Sequence, residues 1–288
     1  MTDMPKLSAI ERTEQRSFLL LFLPALILVA LIIFAPLGKL VVQSFQDEGA
    51  FSLVHYKRIV TERIYWSIFV DTLEVSLAVT ALSALLGYPV AYAAARASRL
   101  WTGLILAMVM LPFWTSVLVR TYGWLVILQR RGIVNTTLMD LGIISKPLEL
   151  SHNYTAVLIG MVHVMVPFIV FPLYAALSKI PPELAQAGNS LGGTRSYVFR
   201  RVILPLSAPG LLAGAVLVFV LSLGFYLTPE LLGGGKTIMV SSLVERNIEQ
   251  YSRFGAASSV ALSLLVIVLA IFWVVDRVLP VEKIIGVK

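Results

Sequence analysis

Apolar positions along the chain fall into long blocks separated by shorter polar segments. They follow neither the alternation of half-buried strands nor the one-sided stripe of surface helices. A bilayer core of about 30 Å takes roughly 20 apolar residues as helix. Six blocks reach that length: residues 18–42, 67–95, 100–128, 154–177, 208–232 and 256–279. They are too long and too uniformly apolar for barrel strands, whose two sides alternate. The pattern predicts an all-α membrane protein with six transmembrane helices, built as a single transmembrane domain over residues 1–288. The first block exceeds the roughly 7–15-residue core of a signal peptide and no A-x-A-like cleavage site follows it, so it is expected to be a retained helix.

Composition agrees: 58% of the 288 residues are hydrophobic and 14% charged, against roughly 45–50% and about 25% in soluble domains. Mean hydropathy is +0.87. The net charge of +7 is scattered between the blocks rather than gathered on one face, which argues for topology and against nucleic acid. Six spans put both termini on one side. The terminal segments, the turn at Ala97 and the long segment before residue 208 carry 12 lysines and arginines, and the three alternate segments carry 9. That bias predicts cytoplasmic termini. The absence of cysteine excludes disulfides, thiolate metal sites and a cysteine nucleophile. Prolines stand in or near most blocks (Pro24, Pro36, Pro89, Pro112, Pro167, Pro172, Pro209, Pro229) and are expected to kink the helices.

One polar segment is far longer than a turn requires. ELAQAGNSLGGTRSYVFRRVILPLSAPG covers residues 183–210. Pro181-Pro182 ends the preceding helix, and Gly192-Gly193 can close a short helix in left-handed geometry. TRSYVFRRVILP reads as a second short helix, with Tyr197, Phe199 and Ile203 as its apolar contacts and Pro205 as its stop before the next span.

This segment resembles the EAA loop of ABC importer permeases. The triplet falls on Gln186-Ala187-Gly188, the following glycine is Gly192, and Leu204-Pro205 closes the motif. Gln and Gly replace the usual Glu and second Ala, which removes a charge at Gln186. Three further stretches look like spermidine/putrescine-type permeases: LPFWTSVLVRTYGWLVILQRRGIVN (residues 111–135), SLGFYLTPELLGG and FGAASSVALS. The resemblance covers residues 65–275 as the core permease module, preceded by a tail, first helix and outer loop over residues 1–64.

The resemblance implies a type I ABC importer permease fold in a bacterial inner membrane. It implies a second permease subunit, an ATPase dimer that binds the ATP and Mg, and an external substrate-binding protein, with no cofactor in this chain. The coupling loop, residues 183–206, would reach the ATPase through Gln186, Ala187, Gly188, Gly192, Arg200, Leu204 and Pro205. Alternating access would then carry a polyamine or related small cation. A gradient-driven transporter is the alternative, but its mark would be inverted repeats with interrupted helices, and none is evident. A membrane-embedded enzyme would need clustered catalytic groups, and no Ser/His/Asp set, carboxylate pair or dinucleotide loop is found.

Five residues form the candidate substrate path. Arg120 lies in or near the end of an apolar block, where charge is costly and normally faces protein or water. Asp71, Glu74 and Glu230 are its candidate partners. Trp114, Tyr122 and Tyr226, with Trp124, can stack on a polyamine or form an interfacial aromatic belt. Glu230 follows a Thr-Pro near the outer mouth, where a carboxylate suits a cation. GGGKT at residues 233–237 lacks the earlier glycine of a phosphate loop, since Glu230 stands there, and is expected to be a turn. His55, His152 and His163 are too dispersed to form a metal site.

Overall fold

The computed structural model describes residues 9–47 and 49–278. The two termini placed in the cytoplasm lie largely outside that range. The chain opens with α1 (Ala9–Ser44), followed by a small hairpin of β1 (Gln46–Asp47) and β2 (Ala50–Phe51). Next come α2 (Val54–Thr61), the long α3 (Arg63–Arg96), α4 (Arg99–Met110), α5 (Val117–Leu128) and α6 (Ile133–Asp140). The second half holds α7 (Tyr154–Leu177), α8 (Pro182–Ser190), α9 (Arg195–Val198) and α10 (Leu204–Leu223). It ends with α11 (Leu227–Gly233), α12 (Val240–Glu249) and α13 (Phe254–Val278).

Five of these helices are long and apolar enough to cross a bilayer, and a bent pair makes up to a sixth. The core is the layer α3, α7 and α10, with α7 in the middle. α7 is apolar all round, as a helix enclosed by others must be. α3 turns a row of small and branched residues inward, Thr72, Val75, Val79, Ser83, Gly87 and Ala91 among them, at helical spacing. α10 approaches α7 through Gly210 and Gly214. A Cβ at Gly210 would stand 2.4 Å from the Ala176 Cβ and 2.8 Å from the Pro172 oxygen. Small residues that bring backbones this close supply the dispersion contacts that lipid cannot drive. Outside this layer, α12 and α1 pack on α13. Of the most apolar window of α1, within Phe22–Ser44, 0% is buried.

Two of the expected spans need correction. The block at residues 100–128 is not one helix. It breaks at a 3-10 turn, Leu111–Trp114, and the two limbs meet at 96°. Pro112 withholds a donor there and Thr115 is extended. The limbs run over Arg99–Trp114 and Val117–Asp140, so this block forms a broken span in place of the straight helix expected. The block at residues 208–232 also ends early: α10 stops at Leu223, before Gly224. Pro229 does not break the chain but sits in the first turn of α11, where its missing donor would be unpaired anyway. α11 folds back between α5 and α7, tied by the Thr121 and Thr228 hydroxyls at 3.1 Å.

Candidate coupling loop and outer-mouth site

The segment at residues 183–210 is built around glycine geometry. Pro182 starts α8 at a position that needs no donor, and Glu183 faces the positive end of the helix. Gly192 has a φ of +83° and ends the helix. The Gly193 N–H donates to the Gly188 oxygen at 3.1 Å and the Gly192 N–H to the Asn189 oxygen at 3.0 Å. This is a Schellman closure, which satisfies carbonyls the helix end leaves open. Thr194 then caps α9 through its hydroxyl, 3.3 Å from the Tyr197 nitrogen. Gly188 explains its departure from alanine: a Cβ there would lie 2.9 Å from the Val198 Cγ2.

The expected stop at Pro205 is not a stop. α9 runs through a π turn, Phe199–Ile203, straight into α10, and Pro205 lies inside this continuous helical path. A proline ring collides with the carbonyl four residues earlier, and the wider π turn accommodates it. In that turn the Leu204 N–H reaches back to the Phe199 oxygen. Gln186, Ala187, Gly192, Arg200, Leu204 and Pro205 are all exposed, and Gly188 is half-buried. Leu191 is 89% and Tyr197 60% exposed, so both apolar side chains stand on the outside of the loop. Val198 and Ile203 are buried instead, and Phe199 sets its ring edge-on against Tyr88 and Tyr92 at 5.6 Å each. Tyr88 in turn shares a 2.8 Å hydrogen bond with Ser207.

At the other end, Glu230 is not a free carboxylate. Its Oε1 accepts from the Arg246 Nη2 at 2.8 Å, with both side chains about three-quarters buried. The carboxylates outside that ion pair are Glu245, which meets the Tyr226 hydroxyl, and Glu249. With Tyr226 they line a cavity of about 430 Å³ whose other walls include Leu223, Val244, Ile248 and Leu264. Burial and the carboxylates of Glu245, Glu230 and Glu249 push the Tyr226 phenol up to about 12. It stays a neutral hydroxyl at any physiological pH. Glu245 and Glu249 are one turn apart on α12, about 5–6 Å between Cβ atoms. Nothing in hydropathy singles them out. The available signal was two acids of one face in an otherwise amphipathic outer helix.

The remaining path residues do not join this cavity. Trp114 and Tyr122 are exposed on the bent α4–α5 limb, at 86% and 49%. Arg120 lines a separate cavity of about 240 Å³, and its Nη2 donates to the Thr115 oxygen at 3.0 Å. It pairs with none of Asp71, Glu74 and Glu230. Trp124 donates to the His163 Nδ1 at 2.9 Å, which leaves the proton of a neutral ring on Nε2. A further cavity, about 700 Å³, is walled by Leu82, Leu158, Val166 and similar side chains beside this pair. It holds no carboxylate, so it does not suit a cation. His55 lies 3.3 Å from the Gln46 oxygen and 3.5 Å from Asp47. Gly234 and Gly235 take φ values of +56° and +76° in the turn after α11.

Residues 83–281 match the family model of binding-protein-dependent transport system inner membrane components. The spermidine/putrescine transport system permease protein PotB of Escherichia coli is 31% identical over 262 residues, 87% of this chain and 94% of that one. PotB of Haemophilus influenzae is 37% identical over 208 residues, 72% of this chain and 73% of that one. A bacterial alginate ABC transporter, solved in complex with an alginate pentasaccharide-bound periplasmic protein, superposes with a TM-score of 0.71 at 19% identity. The match covers 92% of this chain and 95% of that one.

Proposed function

The chain belongs to the binding-protein-dependent transport system inner membrane component family, and on that premise we propose that it imports polyamines, driven through residues 183–206 by a partner ATPase. It is a multi-pass inner-membrane permease subunit of an ABC importer, which sets aside the gradient-driven alternative. The observation that carries the coupling is the unbroken helical path from α9 through the π turn into α10. A push on the exposed tip at Leu191 and Gly192 enters a helical path with no break between Thr194 and Leu223. It moves α10, and through Phe199 it moves α3 at Tyr88 and Tyr92.

The substrate class is supported by the names of the PotB relatives and by the cavity under Tyr226. Two carboxylates a turn apart, a neutral phenol and aliphatic walls suit a short polymethylene chain bearing ammonium groups. An external binding protein would deliver the solute, a second permease subunit would complete the pore, and both termini would face the cytoplasm. The test is ATP hydrolysis by the reconstituted complex with its binding protein loaded in turn with polyamines, neutral solutes and anions. Stimulation by polyamines alone is expected. Stimulation only by another solute would discard the substrate class and keep the importer.

A further inference from the structure

A cavity of about 350 Å³ lies where α1 ends and α13 begins. α1 lines it with Pro36, Lys39 and Gln43, spaced three and four residues apart and so on one face. α13 lines it with Phe254, Ser258 and Ala261, again on one face. The two backbones converge at its upper end, where a Cβ on Gly255 would stand 3.2 Å from the Gln43 oxygen. One turn further along each helix come Lys39 and Ser258, so an ammonium and a hydroxyl share one level of the cavity. Among the described residues, no carboxylate lies within 4.0 Å of Lys39. Ser258 is 7% exposed and has no hydrogen-bond partner among them, whereas a buried hydroxyl is normally paired. The first turn of α13 adds amide hydrogens and the positive end of a 25-residue helix.

These groups select the occupant by charge and by shape. Val244 and Ile248 of α12 wall both this cavity and that of Tyr226, but Lys39 repels a polyamine, so the two do not form one substrate path. A free anion would meet Lys39 and leave the aliphatic walls bare. A phospholipid satisfies both parts, with its phosphate on the ammonium and the Ser258 hydroxyl and an acyl chain along Pro36 and Ala261. The depth agrees. Lys39 precedes Ser44, the last residue of α1, by about 7–8 Å along the axis, and a lysine at that depth extends its ammonium to the headgroups.

We propose that this cavity is a phospholipid site, with the lipid phosphate held by Lys39 and Ser258. The complex is reconstituted in vesicles of phosphatidylethanolamine and phosphatidylglycerol that contain a phospholipid with a diazirine in one acyl chain. After illumination, peptides covering residues 36–43 and 254–261 should carry the label. Lys39→Gln should cut labelling there about tenfold, the scale of one lost charge-assisted contact, and leave residues 22–34 of the lipid-exposed α1 labelled as before. Lys39→Arg should restore it. Equal labelling in Lys39→Gln would overturn the inference. So would loss of the label under excess inorganic phosphate, which would make this a site for a free anion. Carbodiimide coupling of Lys39 to a carboxylate of another subunit would overturn it as well, since protein would then meet the charge. Labelling requires no transport, so a failed polyamine assignment leaves the outcome readable.

Discussion

Single residues decide the two ends of this protein in opposite ways. At Gly192 the backbone itself is the structural feature on which the proposed coupling rests. A side chain at φ +83° costs about 1 kcal/mol, and the position opens onto free space. Gly192→Asp therefore leaves the spans folded but reshapes and charges the tip. We expect ATP hydrolysis to persist while uptake is lost, measured as the ratio of the two in proteoliposomes. At the outer cavity the side-chain charge matters. Glu245→Gln and Glu249→Gln should each raise the half-saturating polyamine concentration by about tenfold, as loss of one charge-assisted contact does. Assembly should be unchanged, because glutamine keeps an amide oxygen at either position, and at 245 the Tyr226 hydroxyl can still donate to it. Unaltered uptake kinetics in both would remove the cavity from the path. The turn between α8 and α9 was legible in sequence because its glycines are a local signal, whereas Leu204-Pro205 was misread as a stop because the π turn that accommodates it leaves no mark in composition. The roles of Glu230 and Glu245 were not legible, because which acid meets Arg246 is decided by how α11 lies on α12.

At the scale of elements, length was readable and direction was not. Hydropathy placed α7 at the bounds the structure shows, Tyr154–Leu177, since twenty-odd apolar residues have no other place to lie. The same measure joined α4 to α5, because the residues of the 3-10 turn at Leu111–Trp114 are as apolar as the helices they separate. It also ran α10 on to Leu232, although Gly224 ends it. The π turn was equally hidden, yet it makes a prediction of its own. It inserts one extra residue into the helical path at Phe199–Ile203. Pro205→Ala removes the ring that favours this widening, so the turn can relax to an α-helix. Everything before it, including Gln186 and Gly192, would then rotate by about 100° around α10. Helical content by circular dichroism should hold while polyamine-stimulated ATPase activity falls. An unchanged stimulation would show that the loop tolerates rotation.

As a whole molecule the chain is a tight core with a loose outer shell. α3, α7 and α10 share backbone-close contacts through Gly87, Gly210 and Gly214, whereas α1 rests on α13 with its apolar window unburied. The helical path that begins at Arg195, after the Leu191–Gly193 turn, runs up α10 to Leu223, which walls the cavity of Tyr226. On the reading proposed above, a single helical path joins the loop end to the cavity end of the molecule. The first helix presents its apolar window to lipid rather than to the core, so a change in bilayer thickness should act on α1 and α13 before it reaches α3, α7 and α10.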